Sequence, residues 1–320
     1  MVEALRERGL LAKVVIAFAC IWLVWGSTFL AIRVAIEHMP PLLMCGVRLL
    51  VAGLMLFAWA QATGAKWPEG RQLRNAALVG LMLPAAGNAA VTIGVGHLPS
   101  GLVALLLGTI PLWMALLAAF GSRAVRPAPQ AVIGLLLGFG GIALLIGPGL
   151  FDARHAEFSP LWALIPVAGA FSWAWGSLWS RRNSMPPSPL LATGVGMLAG
   201  GIGVLALSAA GGEWSGFSAA AVPLRSWAAL LYLIVFGSVL GFTAYLYLLR
   251  IVSPTLVSTY AFVNPIVAMA LGWVFYREAL TARTLAAAVA VIVAVVLITT
   301  TRAKAPAAVA TAAPEALESR

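Results

Sequence analysis

Long, nearly uninterrupted apolar stretches constrain the fold of this chain more than any other feature. Short polar or Pro/Gly-rich breaks separate ten such stretches, near residues 14–36, 42–62, 76–96, 100–121, 129–147, 161–180, 188–210, 227–249, 255–276 and 281–301. A helix needs about 20 mainly apolar residues to cross a lipid bilayer. The sequence therefore predicts an all-α membrane protein with ten transmembrane helices.

The composition supports this class and excludes others. Of the 320 residues, 62% are hydrophobic and 9% are charged, whereas soluble domains carry roughly 25% charged residues. The net charge of +10 is spread over short loops, which favours a lipid bilayer over nucleic acid as the partner. Cys20 and Cys45 both lie in apolar stretches, so no disulfide framework is expected.

The positions of the basic residues predict an orientation. If the amino terminus is cytoplasmic, 14 of the 20 lysines and arginines fall on the cytoplasmic side, and Arg48 lies within a span. The other side holds only Arg33, Arg154, Arg225, Arg277 and Arg283. Basic residues concentrate in cytoplasmic loops. Both termini are therefore expected in the cytoplasm, and the membrane is expected to be a bacterial-type inner membrane.

The two halves of the chain can be aligned with each other. Trp25-Gly26-Ser27 falls on Trp175-Gly176-Ser177, and Pro111 falls on Pro265. Each half holds five spans, and an odd number gives the second half the opposite orientation, as in transporters with inverted repeats. The predicted organisation is a cytoplasmic segment 1–13, a first repeat 14–147, a periplasmic linker 148–160, a second repeat 161–301 and a disordered cytoplasmic tail 302–320.

Three motifs carry a resemblance to a known family. They are Trp-Gly-Ser at residues 25–27, the Pro-Pro-x4-Gly-x-Arg run that ends at Arg48, and Asn264-Pro265 followed by Glu278. With them the chain resembles the EamA-type ten-helix exporters of the drug/metabolite transporter superfamily. The resemblance covers nearly the whole chain as two tandem units and implies export of small molecules, amino acids among them. The first half lacks counterparts of Asn264 and Glu278, so the halves are expected to contribute unequally.

Aromatic and polar residues near the middle of the spans are the candidate substrate-binding residues. An indole offers an apolar wall with one hydrogen-bond donor, which suits an amphipathic metabolite. The alternatives are an interfacial aromatic belt or packing for the tryptophans, and interhelical hydrogen bonds for the small polar residues. The predicted set is Trp25, Asn88, Thr109, Trp113, Trp175, Phe242, Tyr245, Tyr260 and Asn264.

Three further residues are candidates for gating. Pro111 and Pro265 interrupt helical hydrogen bonding within spans and predict either hinges or static kinks. Arg48 is expected to extend to the outer interface, with Glu37 as its partner, in preference to a carboxylate-binding or gating role. The pairs Gly134/Gly138, Gly196/Gly200 and Gly237/Gly241 have the spacing of closely packed helices.

These features favour an exporter of small metabolites, with amino acids as the first choice of substrate, working by alternating access around an uncharged, aromatic-lined cavity. No acidic residue lies deep within a span, and His38, His97 and His155 are assigned to loops, so a facilitator is predicted. No phosphate-binding loop, metal-ligand cluster or cofactor motif is present in the sequence. The alternatives are a multidrug exporter, proton-coupled or not, and more distantly a membrane enzyme or scaffold. A monomer or weak homodimer is expected.

Overall fold

The structure is a computed structural model that describes residues 2–118, 120, 128–151, 159–252 and 260–300. Within these ranges the chain forms helices joined by turns, and no strand occurs. We number the helices α1 to α10 and include their π-helical turns. They are α1 (Val2–Ala19, Cys20–Val24 and Trp25–Ile36), α2 (Pro41–Ala62), α3 (Gly70–Gly80, Leu81–Ala85 and Ala86–His97), α4 (Ser100–Leu107 and Ile110–Ala118), α5 (Pro129–Phe151), α6 (Pro160–Arg182), α7 (Pro189–Ala210), α8 (Leu224–Tyr232, Leu233–Leu240 and Gly241–Ile251), α9 (Tyr260–Tyr276) and α10 (Ala282–Thr300).

The all-α membrane class is confirmed, and each predicted span corresponds to one helix. Seven of the described helices are long and apolar enough to cross a membrane, and three further apolar helices have 10–17 described residues. The tail 302–320, most of the linker 148–160 and the first residues of the ninth span lie outside the described residues. The segment 1–13 was not predicted to be helical, but α1 already begins at Val2.

Prolines mark the starts of several helices. Pro41, Pro160 and Pro189 lie in the first turns of α2, α6 and α7, where proline's missing N–H removes no helical hydrogen bond. The predicted hairpin at residues 97–99 is confirmed, because α3 ends at His97 and α4 begins at Ser100. His97 is nevertheless the last residue of α3, not a loop residue as predicted.

Irregular turns interrupt the helices near their middle. The turns Cys20–Val24, Leu81–Ala85 and Leu233–Leu240 are π-helical, and α4 is broken between Leu107 and Ile110. A π-turn widens the helix and frequently marks a functional site. None of these turns was predicted from the sequence.

Each of the following helices packs against particular partner helices. α2 packs along α7, and α5 packs along α10. α1 contacts α8 and α9, while α6 contacts α3 and α4. The close packing predicted for Gly196 is present, since a Cβ on Gly80 of α3 would overlap the Gly196 backbone.

Contacts between turns define two sides of the molecule. On one side, Glu213 binds the start of α2, and Glu278 binds the start of α4. We call this the Glu278 side. On the opposite side, Asn75 donates to the carbonyl of Ser184 in the turn before α7. We call this the Trp67 side, after the turn 63–69 that also lies there.

Candidate functional site

Two adjoining cavities lie between the helices. The inner cavity has a volume of about 110 Å³ and is lined by α1, α2, α3, α4, α6, α8 and α9. The outer cavity has a volume of about 740 Å³ and extends along α6, α7 and α8 to Met185 and Pro186 on the Trp67 side. Trp173, Ile110, Phe242, Tyr260 and Ala261 line both cavities. The two cavities therefore adjoin each other, and the outer one extends toward the Trp67 side.

Trp25 forms an aromatic corner of the inner cavity. Its indole Nε1 donates to the carbonyl oxygen of Gly237 at 3.0 Å. Its ring packs edge-on against Phe242 and Tyr260, with centroids 5.5 and 5.1 Å away. A Cβ on Gly241 would overlap the indole, so the missing side chain makes room for it. Trp25 thus lines the inner cavity, and its role in substrate binding stays a prediction.

Trp173, which is not among the predicted site residues, is the corresponding tryptophan on α6. It lines both cavities, and a Cβ on Gly87 of α3 would lie 2.7 Å from its Cε3 atom. Trp175, the predicted residue, lines neither cavity and is 49% exposed on the outer surface of the helices. Two residues rotate a helix by roughly 200°, which explains why Trp173 and Trp175 have opposite environments.

The other predicted aromatic residues divide between the cavities and the packing around them. Phe242 and Tyr260 line both cavities, and Tyr245 lines the outer one. Trp113 lines neither. Its ring packs edge-on against Phe139 and Phe171, and its buried Nε1 has no hydrogen-bond partner among the described residues.

The predicted polar residues mostly bind backbone carbonyls. Asn88 lines the inner cavity, and its Nδ2 donates to the carbonyl of Pro84 at 2.8 Å. Asn264 also lines it; in the amide orientation that satisfies its neighbours, Nδ2 donates to the carbonyls of Ile21 and Trp22 in the π-turn of α1. Thr109 is fully buried, and its hydroxyl donates within its own helix. Asn264 thus links α9 to α1.

The two prolines occupy different settings. Pro111 follows the break in α4 and lines the outer cavity. Pro265 lies inside the continuous helix α9 and lines the inner cavity. A hinge role for either residue stays a prediction.

Arg48 corrects two expectations. It does not extend to the outer interface, because it is 4% exposed and lines the inner cavity. Its Nε donates to the hydroxyl of Ser238 at 3.0 Å. Glu37 is bound elsewhere, to Arg225 at 2.7 Å and to the hydroxyl of Tyr276. The cavity was predicted to be uncharged. The structure instead places the guanidinium of Arg48 in its wall.

Glu278 follows α9 and is buried against the start of α4 on its own side of the molecule. Its side chain is only 7% exposed and accepts hydrogen bonds from the backbone N–H and the hydroxyl of Ser100, at 2.8 and 3.0 Å. Arg33 of α1 pairs with it at 3.3 Å and also donates to the carbonyl of Leu98. A carboxylate at a helix amino terminus is favoured by the free N–H groups and the helix dipole. Glu278 thereby joins α9, α4 and α1.

Arg277 directs the carboxylate of Glu278 into this position. It is the one described non-glycine residue with a positive φ, at 51°, a left-handed conformation that costs about 1–2 kcal/mol. The Glu278 N–H then bonds to the carbonyl of Gly272 at 3.2 Å, and a Cβ on Gly272 would overlap the carboxylate. The sequence showed Glu278 at a helix end but not that it is buried.

The described residues hold no group of His, Cys, Asp or Glu side chains placed to bind a metal ion. The chemistry that the two cavities offer is binding: aromatic faces, amide and hydroxyl groups, and the guanidinium groups of Arg48 in the inner cavity and Arg181 in the outer one.

Comparison with known proteins places these features in a family. Residues 12–147 and 160–300 each match the model of the EamA-like transporter family. The chain is 38% identical over 271 residues to the uncharacterized inner membrane transporter YedA of Escherichia coli K12, with 84% of each chain covered. It is 28% identical over 291 residues to a probable amino-acid metabolite efflux pump of Salmonella typhimurium, covering 89% of this chain and 92% of that one. A crystal structure with 19% identity and a TM-score of 0.60, covering 89% of this chain and 96% of its own, shares the fold.

Proposed function

Because this chain belongs to the EamA-like transporter family, we propose that it exports small metabolites across a bacterial inner membrane by alternating access. It is a membrane transporter, so it lies in a lipid bilayer and binds small molecules. The proposed substrates are amino acids with aromatic or other apolar side chains. One relative, 28% identical, is a probable amino-acid metabolite efflux pump, and another, 38% identical, is an inner membrane transporter.

The observation that carries the proposal is the pair of tryptophans at the inner cavity. Trp25 and Trp173 come from α1 and α6, and each indole lies over a glycine of a neighbouring helix, Gly241 and Gly87 respectively. Aromatic walls bind flat apolar groups and retain one polar edge. The adjoining polar groups of Arg48 and Asn88 suit the charged end of an amphipathic metabolite.

The neighbour pattern of the helices supports two inverted repeats. α1 contacts α8 and α9, and α6 contacts α3 and α4, which is the pattern expected if the first five helices are related to the last five. The family model also matches once in each half. A site between inverted repeats allows each half to rock against the other around a fixed cavity.

The orientation and energetics follow from the same features. We assign the Trp67 side to the cytoplasm, because most basic residues fall in the segments assigned to that side. The residues described as lining the cavities include no Asp, Glu or His, the side chains that usually relay protons within membranes. Transport without proton coupling is therefore proposed.

Counterflow in proteoliposomes tests this function. Vesicles loaded with unlabelled phenylalanine should take up labelled phenylalanine, and a pH gradient should not change the rate. Trp173→Ala should raise the half-saturating concentration about tenfold or more, since a central aromatic anchor is lost. Trp175→Ala is the matched control on the same helix and should change it less than about twofold, because its indole lines neither cavity.

The outcomes separate the alternatives. Flux that depends on the gradient would overturn the facilitator. Flux of lipophilic drugs without any amino-acid flux would overturn the substrate class and favour a multidrug exporter. Equal effects of the two tryptophan substitutions would overturn the assignment of the site.

A further inference from the structure

Arg48 is a buried cation without a carboxylate partner. It lies within α2, is 4% exposed and lines the inner cavity. The ion pairs within the described part of the chain join Arg33 to Glu278 and Arg225 to Glu37, and neither includes Arg48. Its one hydrogen bond to a described residue runs from Nε to Ser238. Nη1 and Nη2 thus have no protein acceptor among the described residues.

This arrangement is costly unless an anion enters the cavity. A guanidinium stays protonated in proteins, so it cannot escape burial by losing its proton. An unpaired buried charge is strongly destabilising, whereas a paired and hydrogen-bonded one is tolerated. We infer that Arg48 binds the carboxylate of the transported substrate. This inference rests on the proposed function and names the chemistry of its substrate.

The surroundings hold the guanidinium ready for such a ligand. Ser238 fixes Nε, which orients the plane of the group and leaves its terminal nitrogens for an anion. Gly237 makes room beside it, since a Cβ there would lie 3.2 Å from Nη2. The carbonyl of Gly237 also accepts from Trp25. The carboxylate site is therefore adjacent to the aromatic corner.

A second group on the cavity wall suits the opposite charge. Asn88 uses Nδ2 to bind Pro84, and its Oδ1 has no hydrogen-bond partner among the described residues. An amide oxygen accepts readily from an ammonium group. Arg48 and Asn88 together match a zwitterion, with the side chain of the ligand against Trp25 or Trp173.

One guanidinium favours a monoanion. A phosphate or dicarboxylate carries more charge than Arg48 alone neutralises. Arg48 is the one basic residue among the described residues that line the inner cavity, and Arg181 lines only the outer cavity. Lipophilic cations are disfavoured because the same charge repels them. Substrates with a free carboxylate are thus expected to compete better than their neutral or cationic analogues.

The test compares phenylalanine with phenylalaninamide, which keeps the ring and the amine but lacks the carboxylate. Both are used as competitors of labelled phenylalanine counterflow in chloride-free proteoliposomes. In the wild type, phenylalanine should compete at least about tenfold better, as expected for a lost charge-assisted hydrogen bond. Arg48→Met should bring this ratio to about one. Arg48→Lys should retain part of the preference, because it keeps the charge without the fork of donors.

Ser238→Ala keeps the test decisive if Arg48→Met does not fold. It leaves the charge in place and removes its orienting partner, so the ratio should fall several-fold, by roughly threefold or more. Folding is checked by size-exclusion chromatography and thermal unfolding.

The possible failures are distinguishable. Equal competition by the acid and the amide in the wild type would overturn the role of Arg48 and leave the proposed function standing. An unchanged ratio in Arg48→Met or Ser238→Ala would overturn it as well. Loss of the preference when chloride is restored would assign the site to an inorganic anion and contradict the inference. Absence of any phenylalanine counterflow in the wild type would instead contradict the proposed function.

Discussion

The two sides of the molecule differ in how their helices are joined. On the Glu278 side, carboxylates bind the starts of neighbouring helices: Glu278 binds Ser100, Glu213 binds the N–H groups of Leu42 and Leu43, and Glu37 binds Arg225. On the Trp67 side, none of the described residues forms an ion pair between helices, and a cavity of about 740 Å³ extends inward. The ends of the helices are therefore linked to one another on the Glu278 side, whereas a cavity separates them on the Trp67 side.

If the protein works by alternating access, as proposed, this difference indicates which contacts have to change. The links between helix ends that the structure shows on the Glu278 side are few and polar. Such links can exchange for water or for partners on the opposite side at modest free-energy cost, since net hydrogen-bond contributions are about 0.5–3 kcal/mol. We therefore expect the Glu278 side to open when these links break, while the Trp67 side closes.

Blocking the outer cavity should have the largest effect. Thr193 lines this cavity from α7, and Thr193→Trp would fill part of the path from the Trp67 side. Counterflow should fall to the level of empty liposomes. Ile202→Trp, on the same helix at an exposed position, is the control and should transport normally. Normal flux in Thr193→Trp would show that substrate does not pass through this cavity.

Breaking the link at Glu278 should have the next largest effect. Glu278→Gln loses the charge that holds Arg33 and the start of α4, an interaction of about 1.5–3 kcal/mol. The open state of the Glu278 side should gain population. In a background without Cys20 and Cys45, the reporter Ala261→Cys should then react roughly tenfold faster with an impermeant maleimide applied from that side.

Glu69→Gln provides the matched control for this experiment. Glu69 caps α3 on the Trp67 side, and its replacement should leave labelling from the Glu278 side unchanged. If Glu278→Gln and Glu69→Gln behave alike, the asymmetry between the two sides has no functional meaning.

The smallest effect is expected at Arg277. Its φ of 51° suits glycine, so Arg277→Gly should relieve backbone strain and stabilise the closed Glu278 side by about 0.5–1 kcal/mol. A small rise in the thermal unfolding midpoint should follow, with labelling of the reporter from the Glu278 side slightly slower. A clear loss of stability would mean that the Arg277 side chain contributes more than its backbone conformation costs.

The spans could be predicted because hydrophobicity is a local property of the sequence. A run of about 20 apolar residues identifies a crossing helix whatever its neighbours are, and the proline before Ser100 indicated the turn between α3 and α4. The residues that face the cavity depend instead on helix rotation. α1 has a π-turn directly before Trp25, whereas α6 is α-helical throughout its described length.

The expectations for Trp175 and Arg48 were wrong because contacts between different helices decide where both side chains lie. Matching the Gly-Ser pairs of the two halves aligned Trp25 with Trp175, although the residue at the cavity is Trp173. By residue type, Trp173 and Trp175 are equal candidates for lining the cavity. Only the packing of α6 against α3 distinguishes the two tryptophans. Arg48 was assigned to the interface because a charge in a span usually reaches water. Its pairing with Ser238 joins residues 190 positions apart, which no local pattern reveals.

The most direct test labels the reporter Ala261→Cys, which lines both cavities, in right-side-out and inverted membrane vesicles. Without substrate, the impermeant maleimide should react mainly from the Trp67 side, which we assign to the cytoplasm, and phenylalanine should slow that reaction. Equal labelling from both sides, or labelling that phenylalanine does not change, would contradict a substrate site that is reached from one side at a time.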